Sequence, residues 1–147
     1  MITSTSNAQI KELAKLQKKS RLRDEKGIFL VEGPRMTEEI PTERIEKVYA
    51  SESFAKKNKE FLERLQAPVE LLTDTVFAYV SDTKTPQGIL AVVKQQPYSF
   101  EELLGKEKAS FLLILDHLQD PGNLGTIMRA AEAAGVTGIL MLSLIHI

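Results

Sequence analysis

Ser110-Phe111-Leu112-Leu113-Ile114-Leu115 runs into Asp116-His117-Leu118-Gln119-Asp120-Pro121-Gly122-Asn123 and then into Leu124-Gly125-Thr126-Ile127-Met128-Arg129. The first six residues are continuously apolar, the pattern of a strand buried on both faces. The next eight are rich in turn formers. From Leu124 to Ala134 the sequence is Ala-rich and helical, with Gly135 at the C′ position. Val136 to Leu142 then reads as a second strand. Strand, loop, helix and strand make a βαβ unit, so the chain falls in the α/β class. Open α/β sheets take ligands beyond the carboxyl ends of their strands, where this glycine-bearing loop lies. Gly122 and Gly125 permit close backbone approach, and free amides at the helix start favour an anion such as phosphate. No G-x-G-x-x-G occurs and no Lys follows the glycines, so neither a dinucleotide fingerprint nor a P-loop is present.

Upstream, short apolar runs alternate with helical patterns. Ile28 to Val31, Ile45 to Ala50, Val69 to Thr73 and Ile89 to Val93 read as four strands. Helices are expected at Arg35–Ile40, ended by Pro41, at Ser51–Gln66, and from a capping Asp74 through Val80. Strands spaced by helices predict crossovers and a largely parallel sheet, giving a small α/β domain over residues 22–96. Before it, Ser6-Asn7-Ala8-Gln9 has the form of a capping box. It opens a basic helix over residues 1–21, with Ile10, Leu13 and Ala14 on one face. Residues 97–109 read as a linker holding a helical turn interrupted by Gly105. Residues 110–147 form a second unit of only one βαβ, too little to cover its own apolar surface, and the chain looks cut off there.

The chain has 147 residues and an ordinary globular composition, 43% hydrophobic and 27% charged, which argues against wholesale disorder. Its formal net charge of -1 supplies no global attraction for polyanions. The charge is uneven, however: residues 1–26 carry seven basic and three acidic side chains. Such a run is a solvated helix face or an arm that meets RNA. The absence of cysteine excludes disulfides, zinc–thiolate sites and iron–sulfur clusters. No apolar stretch approaches a membrane span and no secretory h-region opens the chain, so a soluble, cytoplasmic setting with no membrane partner is expected.

The letters of the loop and helix are more specific than their spacing. Leu115-Asp116 and Gln119 through Arg129, followed by Ala130-Ala131 and Ala134-Gly135, resemble the first motif of the SpoU (TrmH-like) RNA ribose 2′-O-methyltransferases. That motif has the form N-x-G-x-x-x-R, matched by Asn123, Gly125 and Arg129. Phe29-Leu30-Val31-Glu32-Gly33-Pro34 and Thr85-Pro86-Gln87-Gly88-Ile89 resemble the family's N-terminal substrate-binding domain, which is similar in fold to small ribosomal RNA-binding proteins. The resemblance runs from about Asn7 to Met141. It implies a small ribosomal-protein-like α/β substrate-binding domain followed by the truncated start of a SPOUT-type knotted methyltransferase domain. It further implies S-adenosylmethionine as cofactor, ribosomal or transfer RNA as structured substrate, and a homodimer when complete. The two later knot motifs that bind the cofactor do not occur here, so the cofactor site is expected in a missing C-terminal part. Leu142-Ser143-Leu144-Ile145-His146-Ile147 departs from the polar loop the family places there, as a truncation or a sequence-assembly join would.

The resemblance makes Arg129 and Asn123 the candidate catalytic residues. A guanidinium stays protonated, so orienting a phosphate and stabilising alkoxide character suits Arg129 better than proton abstraction. Without the resemblance, Arg129 would pair with Glu132 on its own helix. Asn123 is placed to cap the helix, to contact substrate, or both. Lys15, Lys18, Arg21 and Arg23 are the candidate RNA contacts. Arg35, at a strand-to-helix corner, is either a fifth contact or a solvated first-turn side chain. His117 has no second His and no Cys beside it, so no metal site is expected. Three functions stay open: an RNA 2′-O-methyltransferase of which this chain is an inactive fragment, a stand-alone RNA-binding module, and a nucleotide-binding regulator.

Overall fold

The computed structural model describes residues 1–104 and 110–142; the expectations for Gly105 and for the tail from Ser143, His146 included, lie outside the described residues. The chain divides into two units, Met1–Gln96 and Pro97–Ile147.

The first unit begins with two helices, α1 (Ala8–Lys18) and α2 (Ser20–Lys26), joined by a break at Lys19. Asn7, not Ser6, caps α1: its side-chain oxygen accepts from the Gln9 amide at 2.8 Å. Ile10, Leu13 and Leu16 of α1 are buried in the core, so the basic helix expected over residues 1–21 packs as part of this unit. Next come β1 (Ile28–Glu32), α3 (Pro34–Glu38), β2 (Ile45–Ser51), α4 (Glu52–Lys57) and α5 (Lys59–Arg64). The single helix expected over 51–66 is therefore two. Asn58 leaves the helical region between them (φ -130°, ψ 42°) and turns its side-chain amide back to the Phe54 carbonyl. β3 (Val69–Leu72), α6 (Asp74–Val80) and β4 (Ile89–Lys94) complete the unit. Thr73, not Asp74, caps α6.

The four strands lie in the order β1-β4-β2-β3. β4 runs antiparallel to both of its neighbours, and β2 with β3 is the parallel pair. The expectation of a largely parallel sheet thus fails. The last strand inserts in the middle of the sheet, and its local hydropathy carries no record of partner or direction. Central placement explains the apolar run Ile89–Val93, which is buried throughout. Leu90 and Val92 join Ile10, Leu13, Val76, Phe77 and Val80 on one face, while Ile89, Ala91 and Val93 meet Val31, Val48 and Leu65 on the other. Helices therefore cover both faces of the sheet.

Asp74, freed from capping, accepts from the Ser53 hydroxyl at 2.5 Å and from the Ser53 amide at 3.2 Å. The Ser53 side chain, and then its amide, hold the Asp74 carboxyl below its ordinary value. A carboxylate with a depressed folded-state pKa stabilises above its unfolded pKa, and that contribution disappears as pH falls through the folded value. We expect Ser53→Ala, which keeps the amide but loses the hydroxyl, to raise the Asp74 titration midpoint toward the ordinary carboxylate value and to reduce this acid dependence. Carboxyl-detected NMR titration checks both, and an unmoved midpoint refutes the assignment.

In the second unit, α7 (Phe100–Leu104) precedes β5 (Leu112–Asp116), α8 (Pro121–Ala133) and β6 (Gly138–Leu142). β5 and β6 pair in parallel, Leu112 opposite Gly138 through Asp116 opposite Leu142. β5 is not buried on both faces as its apolar run suggests, and Ile114 is 60% exposed. A two-stranded sheet with one crossover helix leaves much of its surface uncovered. Among the described residues no helix is long and apolar enough to cross a membrane.

Candidate nucleic-acid interface and glycine-loop site

The end of β1 and the loop before β4 meet. Glu32 accepts hydrogen bonds from the Ser81 hydroxyl (2.8 Å) and the Thr83 hydroxyl (2.9 Å), with a longer contact from the Gln87 amide (3.4 Å). The Gly33 amide donates to the Ile89 carbonyl at 3.0 Å. Gly88 has φ +81°, and a Cβ there would lie 2.7 Å from Phe54 Cβ, so only glycine suits this turn. Two of the three motifs noted in the sequence are thereby brought to one corner of the fold. Glu32 organises that corner, a role the linear motif does not reveal. Arg35, second residue of α3, is exposed there and has no carboxylate partner among the described residues. Glu32→Ala should release the loop, with faster hydrogen exchange at Thr83 and Gln87. Hydrogen bonds to a charged group are worth about 1.5–3 kcal/mol, so the loss of local protection should be at least tenfold. Unchanged exchange would remove Glu32 from this role.

The basic helices separate the expected RNA contacts into two kinds. Lys15 and Lys18 are exposed on α1, and with Lys11 and Lys19 they line a depression of about 260 Å³ together with Ala14 and Tyr79 of α6. None of these four lysines has an ion-pair partner among the described residues. Arg21 is 91% exposed but pairs with Glu25 one turn on, at 2.9 Å. Arg23 turns inward, donating to the carbonyls of Leu16 (2.5 Å) and Gln17 (3.0 Å). It caps the end of α1 and is not a free cation. Tyr79 went unnoticed in the sequence: Val76, Phe77 and Val80 mark the buried face of α6, and only packing against α1 sets Tyr79 among lysines.

In the second unit Asp120 caps α8, its carboxylate accepting from the Asn123 amide at 2.7 Å. Asn123 is thus the third residue of the helix, exposed, and not its cap. Pro121 has no amide hydrogen, and the Leu124 amide is taken by the Asp120 carbonyl. With an acidic cap and most first-turn donors occupied, this helix start is a poor phosphate cradle. The nucleotide-binding reading loses its support. Thr126 donates to the Gly122 carbonyl at 3.0 Å and accepts from Arg129 Nη2 at 3.2 Å. The Arg129 guanidinium lies back along α8 beside Gly125, where a Cβ would stand 3.4 Å from Nη1, an ordinary contact distance. Arg129 makes no ion pair with Glu132 among the described residues. Asp116 and His117 pair with each other at 2.5 Å. Every residue from Asp116 through Asn123 is exposed, so these residues do not fit the enclosure that S-adenosylmethionine would need.

Comparison with known proteins matches residues 7–91 to a family described as the MRM3-like substrate binding domain. The chain is 33% identical over 143 residues to the 23S rRNA (guanosine(2553)-2′-O)-methyltransferase RlmP of Bacillus subtilis, covering 95% of this chain and 53% of that protein. It is 31% identical over 135 residues to the mitochondrial rRNA methyltransferase 3 of Homo sapiens, covering 84% of this chain and 31% of that one. Among solved structures, an RNA 2′-O ribose methyltransferase matches with a TM-score of 0.71 at 30% identity, over 97% of this chain and 55% of its own. An AdoMet-bound rRNA methyltransferase from Sinorhizobium meliloti shares the fold, with a TM-score of 0.73 at 23% identity, over 97% of this chain and 54% of its own. The chain spans about half the length of the first two curated relatives it matches.

Proposed function

The chain belongs to the SpoU (TrmH-like) family of RNA methyltransferases, and we propose that it is the RNA-recognising part of an enzyme that methylates a ribose 2′-hydroxyl in ribosomal or transfer RNA. The observation that carries the reading is Arg129: Thr126 holds it along α8, and it has no carboxylate partner among the described residues. A guanidinium so held keeps four of its five N–H donors for a substrate phosphate or for negative charge growing on a ribose oxygen. Asn123 lies six residues earlier, in the first turn of α8, within the segment the family motif spans. The first unit grips the RNA through Lys15 and Lys18, with Arg35 at the Glu32 corner. Arg21 is a secondary contact, and Arg23 acts through the shape of the α1–α2 turn.

S-adenosylmethionine, when bound, supplies the electrophilic methyl group, and its pocket is furnished by sequence this chain does not contain. A homodimer of the complete protein and a cytoplasmic setting belong to the same proposal. The open loop 116–123 favours a second reading for the 147-residue chain on its own: an RNA-binding module without catalysis. Incubating this chain, and a version lengthened to match its relatives, with tritiated S-adenosylmethionine and total RNA tests both. Label in 2′-O-methylnucleosides with the long form only is the expected result. No label with either form overturns the enzyme reading.

A further inference from the structure

We propose that the depression between α1 and α6 binds one unpaired nucleotide of an RNA, with its base stacked on Tyr79 and the adjoining phosphates held by Lys11, Lys15, Lys18 and Lys19. This rests on the RNA reading above and names what part of an RNA the first unit recognises. α1 commits Ile10, Leu13 and Leu16 to the core, which leaves its lysines on the outer face. α6 commits Val76, Phe77 and Val80, which leaves Tyr79 54% exposed beside them. The Tyr79 hydroxyl has no hydrogen-bond partner among the described residues. Among the described residues its ring has no cation over it, although other aromatic rings of this unit do: Arg44 lies over Phe29 and Lys47 over Tyr49.

One acidic side chain of each of these two helices is engaged elsewhere. Glu12 of α1 pairs with Lys26 at 2.9 Å, and Asp74 of α6 is held by Ser53. An aromatic face with four unpaired ammonium groups around it is the combination that binds single strands, because every base has a π-face and every nucleotide a phosphate. The volume, about 260 Å³, lies below the roughly 300 Å³ at which pockets for drug-sized molecules begin, which suits one flat base. A duplex hides its base faces in the stack, so a loop or bulge is the element recognised. Two residues beyond Tyr79, Ser81 donates to Glu32, so the C-terminal end of α6 is tied to the strand end from which α3 and its Arg35 start.

The test uses the 147-residue chain and a fluorescein-labelled RNA hairpin with 2-aminopurine in its loop, alongside the same RNA closed by a complementary strand. Tighter binding of the hairpin than of the duplex, with quenching of the loop base, is expected. Tyr79→Ala should weaken hairpin binding about 5- to 150-fold, the range that loss of one base–aromatic stack implies, and should abolish quenching. Tyr79→Phe should retain both. The salt slope should be the same in all three proteins, because no charge is removed. Equal binding of hairpin and duplex, or wild-type affinity in Tyr79→Ala, overturns the stacking site while the RNA reading stands. Salt-independent binding by the wild type, or displacement of the hairpin by an equal concentration of polyglutamate, overturns the RNA reading itself.

Discussion

Replacing Arg129 by alanine, in a chain lengthened to match its relatives, should lower methyl transfer to RNA by about 10²–10³-fold, the usual cost of removing one preorganised donor from developing negative charge. The proposal assigns Arg129 to the RNA, so affinity for S-adenosylmethionine should change little. Among the described residues Arg129 is anchored to the helix by one hydrogen bond, through Nη2 to Thr126 at 3.2 Å. Its remaining donors are uncommitted to protein carboxylates among the described residues. Thr126→Val removes the anchor but not the charge, so it should lower turnover by a smaller factor. Arg129→Lys should not restore activity, since an ammonium cannot contact a phosphate through a planar fork. Single-turnover methyl transfer with saturating cofactor, beside calorimetric titration of the cofactor, reads the two effects apart. Equal losses in both would mean that Arg129 serves the cofactor instead.

The second large effect belongs to the lysines. Converting Lys11, Lys15, Lys18 and Lys19 together to glutamine should reduce the slope of log affinity against log salt by roughly 3, since each phosphate contact contributes about 0.7–0.9. Arg21→Gln should act weakly, because Glu25 already neutralises that side chain. Arg23→Gln should behave differently in kind. Its guanidinium closes the carbonyls of Leu16 and Gln17, so its loss should destabilise the first unit by about 1–3 kcal/mol and leave the salt slope in place. Fluorescence anisotropy across a salt series and urea denaturation of the same proteins distinguish these outcomes. A salt slope that survives the quadruple substitution would remove this face from the RNA interface.

Much of this was legible in the residues. Apolar runs such as Ile28–Val31 and Ile89–Val93 announce strands, and the Ala-rich stretch after Gly122 announces α8, because period and propensity are local properties. The letters of Asn123, Gly125 and Arg129 carry the family resemblance without reference to geometry. Local reading failed wherever an outcome depended on atoms distant in the chain or on a choice between near-equivalent neighbours. Asn7 displaced Ser6 as the cap of α1, and Asp120 took the capping role open to Asn123, since neighbouring polar side chains compete for the same amides.

The sheet shows the same division on a larger scale. That residues 89–93 form a buried strand follows from their composition, whereas its central, antiparallel place follows from pairing with residues some 60 and 40 positions earlier. Hydropathy has no term for such partners; only the closed fold selects them. Charge divides likewise. The residues establish that the first 26 positions are basic, but folding decides which cations stay available. It turns Arg23 onto the end of α1, ties Arg21 to Glu25, and leaves four lysines facing Tyr79 across a gap between two helices. A side chain's type sets what it is able to bind, and the packing around it decides whether that capacity is already used.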